Sequence, residues 1–319
     1  MKYNFNSEIK AKLKPFQNWL QEKHYHPNTI RQKMNYAGYF LQWLDGEQLE
    51  PQHARYNDLL NFIDYCRIEG KSKKHINTKL RSIRDYYEYL KQQDADIINP
   101  AANLYLKGIT DKIPSGLIKY KTLEKLYHQY VANNLREKRN KVILGLLIYQ
   151  GLKTEELHQL EPGHVKLRQG KIRIPGSRRR NSRVLELKPF QILELSDYLN
   201  QTRPQILKEL DKPKPARKPA KINKNKLESK LFASINGSEH IKNSLYHLFK
   251  RLRKTNPDIQ NPRQIRASVI THWLKHYNLR QVQYMAGHKH VHSSERYKMN
   301  NLENLQGKLE KLHPLNNSF

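Results

Sequence analysis

Over the first hundred residues, apolar side chains recur at intervals of three and four. That spacing restricts this part of the chain to amphipathic helices packed on one another. From Ser7, the residues Ile9, Leu13, Phe16 and Leu20 fall on one helical face and lysines on the other. A second helix is expected after Pro27-Asn28-Thr29, carrying Ile30, Met34, Phe40, Leu41 and Leu44 and ending at Asp45-Gly46. A third covers Tyr56 to Ile68. The fourth, from Lys73 to Gln93, sends Ile76, Leu80, Ile83, Tyr87 and Leu90 inward and leaves Lys73, Lys74, Lys79, Arg81 and Arg84 outward.

Turn residues between Asn99-Pro100 and Pro114-Ser115-Gly116 mark a boundary. The expected division is a helical domain over 1–105, a linker over 106–116 and a second domain over 117–319. In the second domain, helices are expected near 117–134 and 138–150, the latter buried through its VILGLLIY run. Lys171–Ile174 and Val184–Leu187 alternate as a β-hairpin whose turn region holds Arg178, Arg179, Arg180 and Arg183. Residues 212–226, within a basic insertion near 208–230, hold seven basic residues, three prolines and no acid, a composition that favours a loop over a packed element. It reads either as a solubilising linker or as an electrostatic tether. A last helix would carry Leu302, Leu305, Leu309 and Leu312 on one face. The fold class is therefore mainly α with a small β-sheet, a helical N-terminal domain followed by a mixed α/β domain.

Charge narrows the partner. Fifty-nine Lys and Arg against 29 Asp and Glu leave +30 over 319 residues, which favours a polyanion and argues against an enzyme of small metabolites. The longest apolar run, Val142 to Tyr149, is too short to cross a bilayer, and no signal peptide or lipidation motif is present. One cysteine, Cys66, excludes an intramolecular disulfide framework and a thiolate zinc cluster. These features point to an intracellular protein, cytoplasmic and nucleoid-associated, with double-stranded DNA as partner. The basic side of the N-terminal helices reads as a DNA-gripping face through Lys73, Lys74, Lys79, Arg81 and Arg84, with Arg180 and Arg183 adding contacts from the hairpin. A merely solvated helix face is the alternative.

Near the C-terminus, RQIRASVITHW, AGHKH and SERYKM set Arg266, His288 and Tyr297 in an order that suits tyrosine attack on a phosphodiester. A phosphoryl group in transfer carries charge on its non-bridging oxygens, so cations and hydrogen-bond donors must converge on it while the nucleophile attacks in line. Arg266 offers a planar fork for two oxygens, and His288 a donor or proton acceptor. The alternation His288, His290, His292 scatters the rings on a helix, so no metal is expected; no other cofactor is implied. A glycine-rich nucleotide loop and a hydrolase triad are both missing from the sequence.

This pattern resembles the tyrosine recombinases, or phage-type integrases, whose C-terminal frame runs His-x-x-Arg, Leu-Gly-His and then Tyr nine residues on. Here it reads Arg263-Gln-Ile-Arg266, Ala286-Gly287-His288 and Tyr297. GLKTEELHQL at 151–160 looks like the family's Gly-Leu-Arg-x-x-Glu-Leu box, and 171–187 like its lysine-bearing hairpin.

The resemblance implies a SAM-like core-binding domain and a catalytic domain closing around DNA. It also implies site-specific recombination or integration, as for a mobile element, through a 3′-phosphotyrosyl link and a free 5′-hydroxyl, by a homotetramer on two sites with possible DNA-bending accessory proteins. The terminal leucine helix would dock on a neighbouring subunit or pack on its own domain.

Three positions depart from the frame: Lys153 for the first arginine, Arg263 for a histidine, and Arg178 or Arg179 for the general-acid lysine. Arg136 and Arg139 are candidate substitutes for the missing arginine. These departures keep open an alternative, a recombinase-fold DNA-binding protein with weak or no catalysis, acting as a regulator or architectural factor.

Overall fold

The computed structural model describes residues 5–108, 116–210, 224–238 and 240–298. The chain divides into two compact units, Met1–Asp111 and Lys112–Phe319.

The first unit is built from α1 (Ser7–Glu22), α2 (Pro27–Gly46), α3 (Tyr56–Ile68) and α4 (Lys73–Gln93). Local chemistry sets their starts. Asn6 Oδ1 accepts from Ile9 N at 2.8 Å, Ser72 Oγ accepts from His75 N at 3.3 Å, and Arg55 N donates to Asp58 Oδ2 at 2.7 Å. Phe16, Leu20, Phe40, Leu44, Leu59, Phe62, Ile76, Leu80, Ile83 and Tyr87 form one core, with Leu90 packed at its edge.

Of the five basic residues expected outward on α4, one faces inward and another is bound to backbone carbonyls. Lys79 lies between Ile76 and Ile83 on the apolar face and is fully buried. Its ammonium sits 3.3 Å from the Tyr39 ring centroid and donates to Cys66 Sγ at 3.6 Å. Burial pushes its pKa down. Arg84 is half-buried and braces the following turn by donating to Ala101 O at 3.0 Å and Leu104 O at 3.2 Å. Lys73, Lys74 and Arg81 are exposed.

The second unit opens with α5 (Tyr120–His128), α6 (Leu135–Tyr149) and α7 (Thr154–Gln159). An antiparallel sheet follows, β1 (Val165–Lys166), β2 (Lys171–Ile174) and β3 (Arg183–Glu186), in that spatial order. Ile172 pairs with Val165 on one side and Leu185 on the other, while Ile174 pairs with Arg183. Strand alternation therefore turns Ile172, Ile174, Arg183 and Leu185 to the buried side. β1 escaped the sequence reading because two residues show no period.

Next come α8 (Pro189–Asp197), a π turn over Tyr198–Thr202 and α9 (Arg203–Leu210), then α10 (Lys224–Ser229), α11 (Lys242–Thr255), α12 (Pro262–Trp273) and α13 (Leu279–Ala286). Residues 292–298 are also helical. The α6 run Val142 to Ile148 is the centre of this unit's core. Of the expected loop over 212–226, residues 224–226 begin α10, which is anchored by the buried Leu227; residues 211–223 lie outside the described residues, as do the terminal leucines. Among the described residues no helix is long and apolar enough to cross a membrane. The protein is thus mainly helical with one small sheet.

Candidate active site

Four segments of the second unit meet on one carboxylate. Gly151 turns the chain with φ +58°, a left-handed conformation suited to glycine, and delivers Lys153 to the start of α7. The Lys153 N–H donates to Glu156 Oε2 at 2.8 Å, so Glu156 closes the first turn of its own helix. The same carboxylate, 1% exposed, accepts a bidentate pair from Arg183 on β3, at 2.9 and 3.2 Å. Arg180 Nη1 stands 3.4 Å and Arg266 Nη1 3.8 Å from it. Burial raises the Glu156 pKa, but Arg183 and Arg266 outweigh that and hold it at about 2.

Arg266 lies on α12, whose start is fixed by Asn261 Oδ1 accepting from Gln264 N at 3.0 Å. Its guanidinium donates to Gly151 O and, at 2.6 Å, to Ala286 O, which ties α12 to the ends of α6 and α13. Nη2 also lies 3.2 Å from His288 Nε2. Guanidinium only donates, so Nε2 must accept; the imidazole proton is on Nδ1, which donates to Ser294 Oγ at 2.8 Å. Burial, then the charges of Arg266, Lys153 and Arg183, push the His288 pKa down to about 3. At neutral pH this histidine is uncharged.

The hairpin is docked onto this loop. Arg180 bridges to His288 through the backbone, and Asn181 N donates to Gly287 O at 3.3 Å. Gly287 ends α13 with φ +64°, and any Cβ there would run into the Arg183 guanidinium. Tyr297 follows on the helical residues 292–298, with its ring 6.1 Å from that of His288 at 11° between planes. Burial lowers the Arg266 pKa to about 10, with Glu156 acting against it.

Arg266, His288 and Tyr297 thus stand together, and Lys153 and Arg180 complete the group. Burial, then the charges of Arg266 and Arg180, lower the Lys153 pKa to about 8. Arg266 Nε and Arg180 Nη1 are buried donors without a hydrogen-bond partner among the described residues. Three guanidiniums and an ammonium against one carboxylate leave a surplus of positive charge beside a phenol, an arrangement chemically suited to holding an anion within reach of a hydroxyl.

Other candidates lie elsewhere. Arg178 and Arg179 are exposed at the hairpin turn, where Lys289 Nζ donates to Arg178 O at 3.4 Å. Arg263 is exposed on the first turn of α12 and pairs with none of the cluster's groups among the described residues. Arg183, expected to contact DNA, is 2% exposed and committed to Glu156. Arg139 is buried against Asn140 Oδ1 and Ala233 O, both at 3.0 Å, and Arg136 is exposed; neither reaches Glu156. Sequence reasoning missed the roles of Glu156 and Ser294. Glu156 had a signal, the acidic letter of the GLKTEEL box; Ser294, six residues after His288, had none.

Tyrosine recombinase XerA of Thermococcus kodakarensis is 24% identical over 307 residues, covering 96% of this chain and 96% of that protein. Tyrosine recombinase XerC of Staphylococcus haemolyticus is 22% identical over 279 residues, covering 86% and 87%. Among solved structures, XerH site-specific recombinase bound to a palindromic difH substrate, a post-cleavage complex, superposes with TM-score 0.67 at 19% identity, covering 88% of this chain and 78% of that one. The Tn1549 transposon integrase in complex with a circular intermediate DNA gives 0.60 at 16%, covering 89% and 94%. The phage integrase N-terminal SAM-like domain matches residues 13–94 and the phage integrase family itself residues 118–304, so the chain belongs to the phage integrase family.

Proposed function

We propose that the protein cuts and rejoins duplex DNA at specific sites through a covalent link between Tyr297 and the 3′ phosphate. It is a tyrosine-type site-specific recombinase. The observation that carries this reading is the Tyr297 phenol beside the Arg266–His288 pair, in a pocket of cations that a single carboxylate does not neutralise. Arg266 and Arg180 take the non-bridging oxygens of the scissile phosphate, and neutral His288 aligns Arg266 through Nε2. Tyr297 Oη attacks phosphorus, the bond to the 5′ oxygen breaks, and a 5′-hydroxyl is left. The phosphodiester energy is kept in the phosphotyrosyl bond, so rejoining needs no nucleotide cofactor.

On the first unit, Lys73, Lys74 and Arg81 contact DNA phosphates; at the hairpin turn, Arg178 and Arg179 do so. Two bound sites are held by a homotetramer, with the Leu302, Leu305, Leu309 and Leu312 face as its exchanged element and DNA-bending proteins as accessories. The reaction takes place on nucleoid DNA in the cytoplasm.

The test is a nicked suicide substrate carrying the cognate site, resolved on a denaturing gel. A protein–DNA adduct that Tyr297→Phe abolishes is expected. Site-specific binding without any adduct would mean a regulator that has kept the fold and lost the chemistry.

A further inference from the structure

Resting on the cleavage reading above, we propose that Lys153 is the proton donor to the leaving 5′ oxygen. The site's titratable and fixed cations have changed places: Lys153 hands over the proton, and the hairpin arginines, Arg180 foremost, hold the phosphate.

Lys153 is held at the start of α7 by its backbone bond to Glu156, the carboxylate that also fixes Arg183 and lies beside Arg180 and Arg266. Arg180, Arg183 and Arg266 each have a carboxylate partner, whereas the Lys153 ammonium has no hydrogen bond or ion pair among the described residues and is half-buried. The charged groups that bear on it are Arg266 from α12, Arg180 from the hairpin, and Glu156 and Glu155 from its own helix; it bears in turn on His288. It is therefore a cation of the phosphate site that is not tied to a carboxylate.

Chemistry supplies the second step. An alkoxide leaving group needs a proton as the P–O bond breaks, and guanidinium does not give one up. His288 cannot supply it either, because burial keeps it neutral, its Nε2 accepts from Arg266 and its one proton is bound to Ser294. Lys153, lowered to about 8, holds a proton at neutral pH and can release it.

The balance closes in both directions. In cleavage the Tyr297 Oη–P bond forms, the phenolic proton passes to water, the P–O5′ bond breaks, and the Lys153 proton moves to O5′, leaving a neutral amine. In rejoining, the neutral amine takes the proton of the attacking 5′-hydroxyl, and Tyr297 leaves as phenolate and is protonated by water. An ammonium that titrates near the working pH serves both steps.

The experiment is single-turnover cleavage of two matched suicide duplexes, one ordinary and one with sulfur replacing the bridging 5′ oxygen. A thiolate leaves without a proton. Lys153→Met and Lys153→Arg are expected to lose about 10²–10⁴-fold on the oxygen duplex and to stay within roughly tenfold of the parent on the sulfur duplex. For the parent protein, the oxygen rate should fall as pH rises through about 8, and this limb should be lost with sulfur. Cleavage of the sulfur duplex also shows that each variant is folded.

Equal losses on both duplexes would make Lys153 a phosphate clamp and overturn the proposal. So would a Lys153→Arg protein as active as the parent on oxygen, or selective sulfur rescue in Lys289→Ala, whose ammonium lies against the hairpin turn. If the parent gives no Tyr297-dependent adduct with either duplex, the cleavage reading fails, and the assignment fails with it.

Discussion

Glu156 shows how much of the site depends on one side chain. It closes α7, grips Arg183 in two bonds and lies within reach of Arg180 and Arg266, all while 1% exposed. Removing one partner of such a buried pair strands the other, so Glu156→Gln should cost about 3–5 kcal/mol in denaturant unfolding. The acid response follows from two groups. His288 falls from 6.5 to about 3 on folding and Glu156 from 4.5 to about 2. Both folded values are depressed, so the unfolded chain binds protons first. Their stabilisation is complete above pH 6.5, is lost through His288 as pH falls from 6.5 toward 3, and through Glu156 from 4.5 toward 2. Melting temperature should therefore drop on acidification below about pH 6.5, and His288→Asn should remove the upper part of that slope; an unchanged slope would contradict the buried neutral imidazole. At this scale the sequence was only partly legible. The order Arg266, His288, Tyr297 could be read because each residue falls in a spaced motif. Glu156 left a trace in the GLKTEEL box but its pairing with Arg183 did not, and Ser294 left none, because these contacts join segments far apart in sequence or depend on the local path of the loop after Gly287.

Among the elements, α4 separates what periodicity can and cannot tell. Its bounds and its apolar face follow from the three-and-four spacing, yet position 79 is on that face and carries a lysine. Charge suggested an outward side chain; the helical angle, the Tyr39 ring and Cys66 turn it inward. Lys79→Met should leave DNA affinity unchanged and keep or raise stability, because a buried cation is replaced by an apolar chain of similar length. Lys74→Ala and Arg81→Ala should instead weaken binding across sequences and each reduce the salt slope by about one, read from affinity against salt concentration. In the hairpin, Arg183 was misread for a related reason. A strand's alternation puts it with Leu185 on the inner face, a placement that a count of turn arginines does not reveal. The left-handed Gly287 links this hairpin to the site, so Gly287→Ala should cost more than about 1 kcal/mol in equilibrium unfolding and displace Arg183.

For the whole molecule, charge and the spaced C-terminal residues are enough to indicate DNA and tyrosine chemistry from the sequence alone. Net charge +30 narrowed the partner, and the 266–288–297 spacing narrowed the reaction. What sequence could not deliver was the state of the cations: which are committed to a carboxylate, which remain for a phosphate, and which can give up a proton. Those answers come from burial and long-range pairing, since Arg180 and Arg183 lie in one basic run and yet Arg183 grips Glu156 in two hydrogen bonds while Arg180 Nη1 stands 3.4 Å from it without one. The central claim is that Tyr297 carries the DNA during the reaction. Its most direct test is to trap the adduct on a suicide duplex, digest it, and locate the nucleotide by mass spectrometry. The account predicts one modified peptide, with the 3′ phosphate esterified to Tyr297; a nucleotide on any other residue, or linkage through a 5′ phosphate, would contradict it.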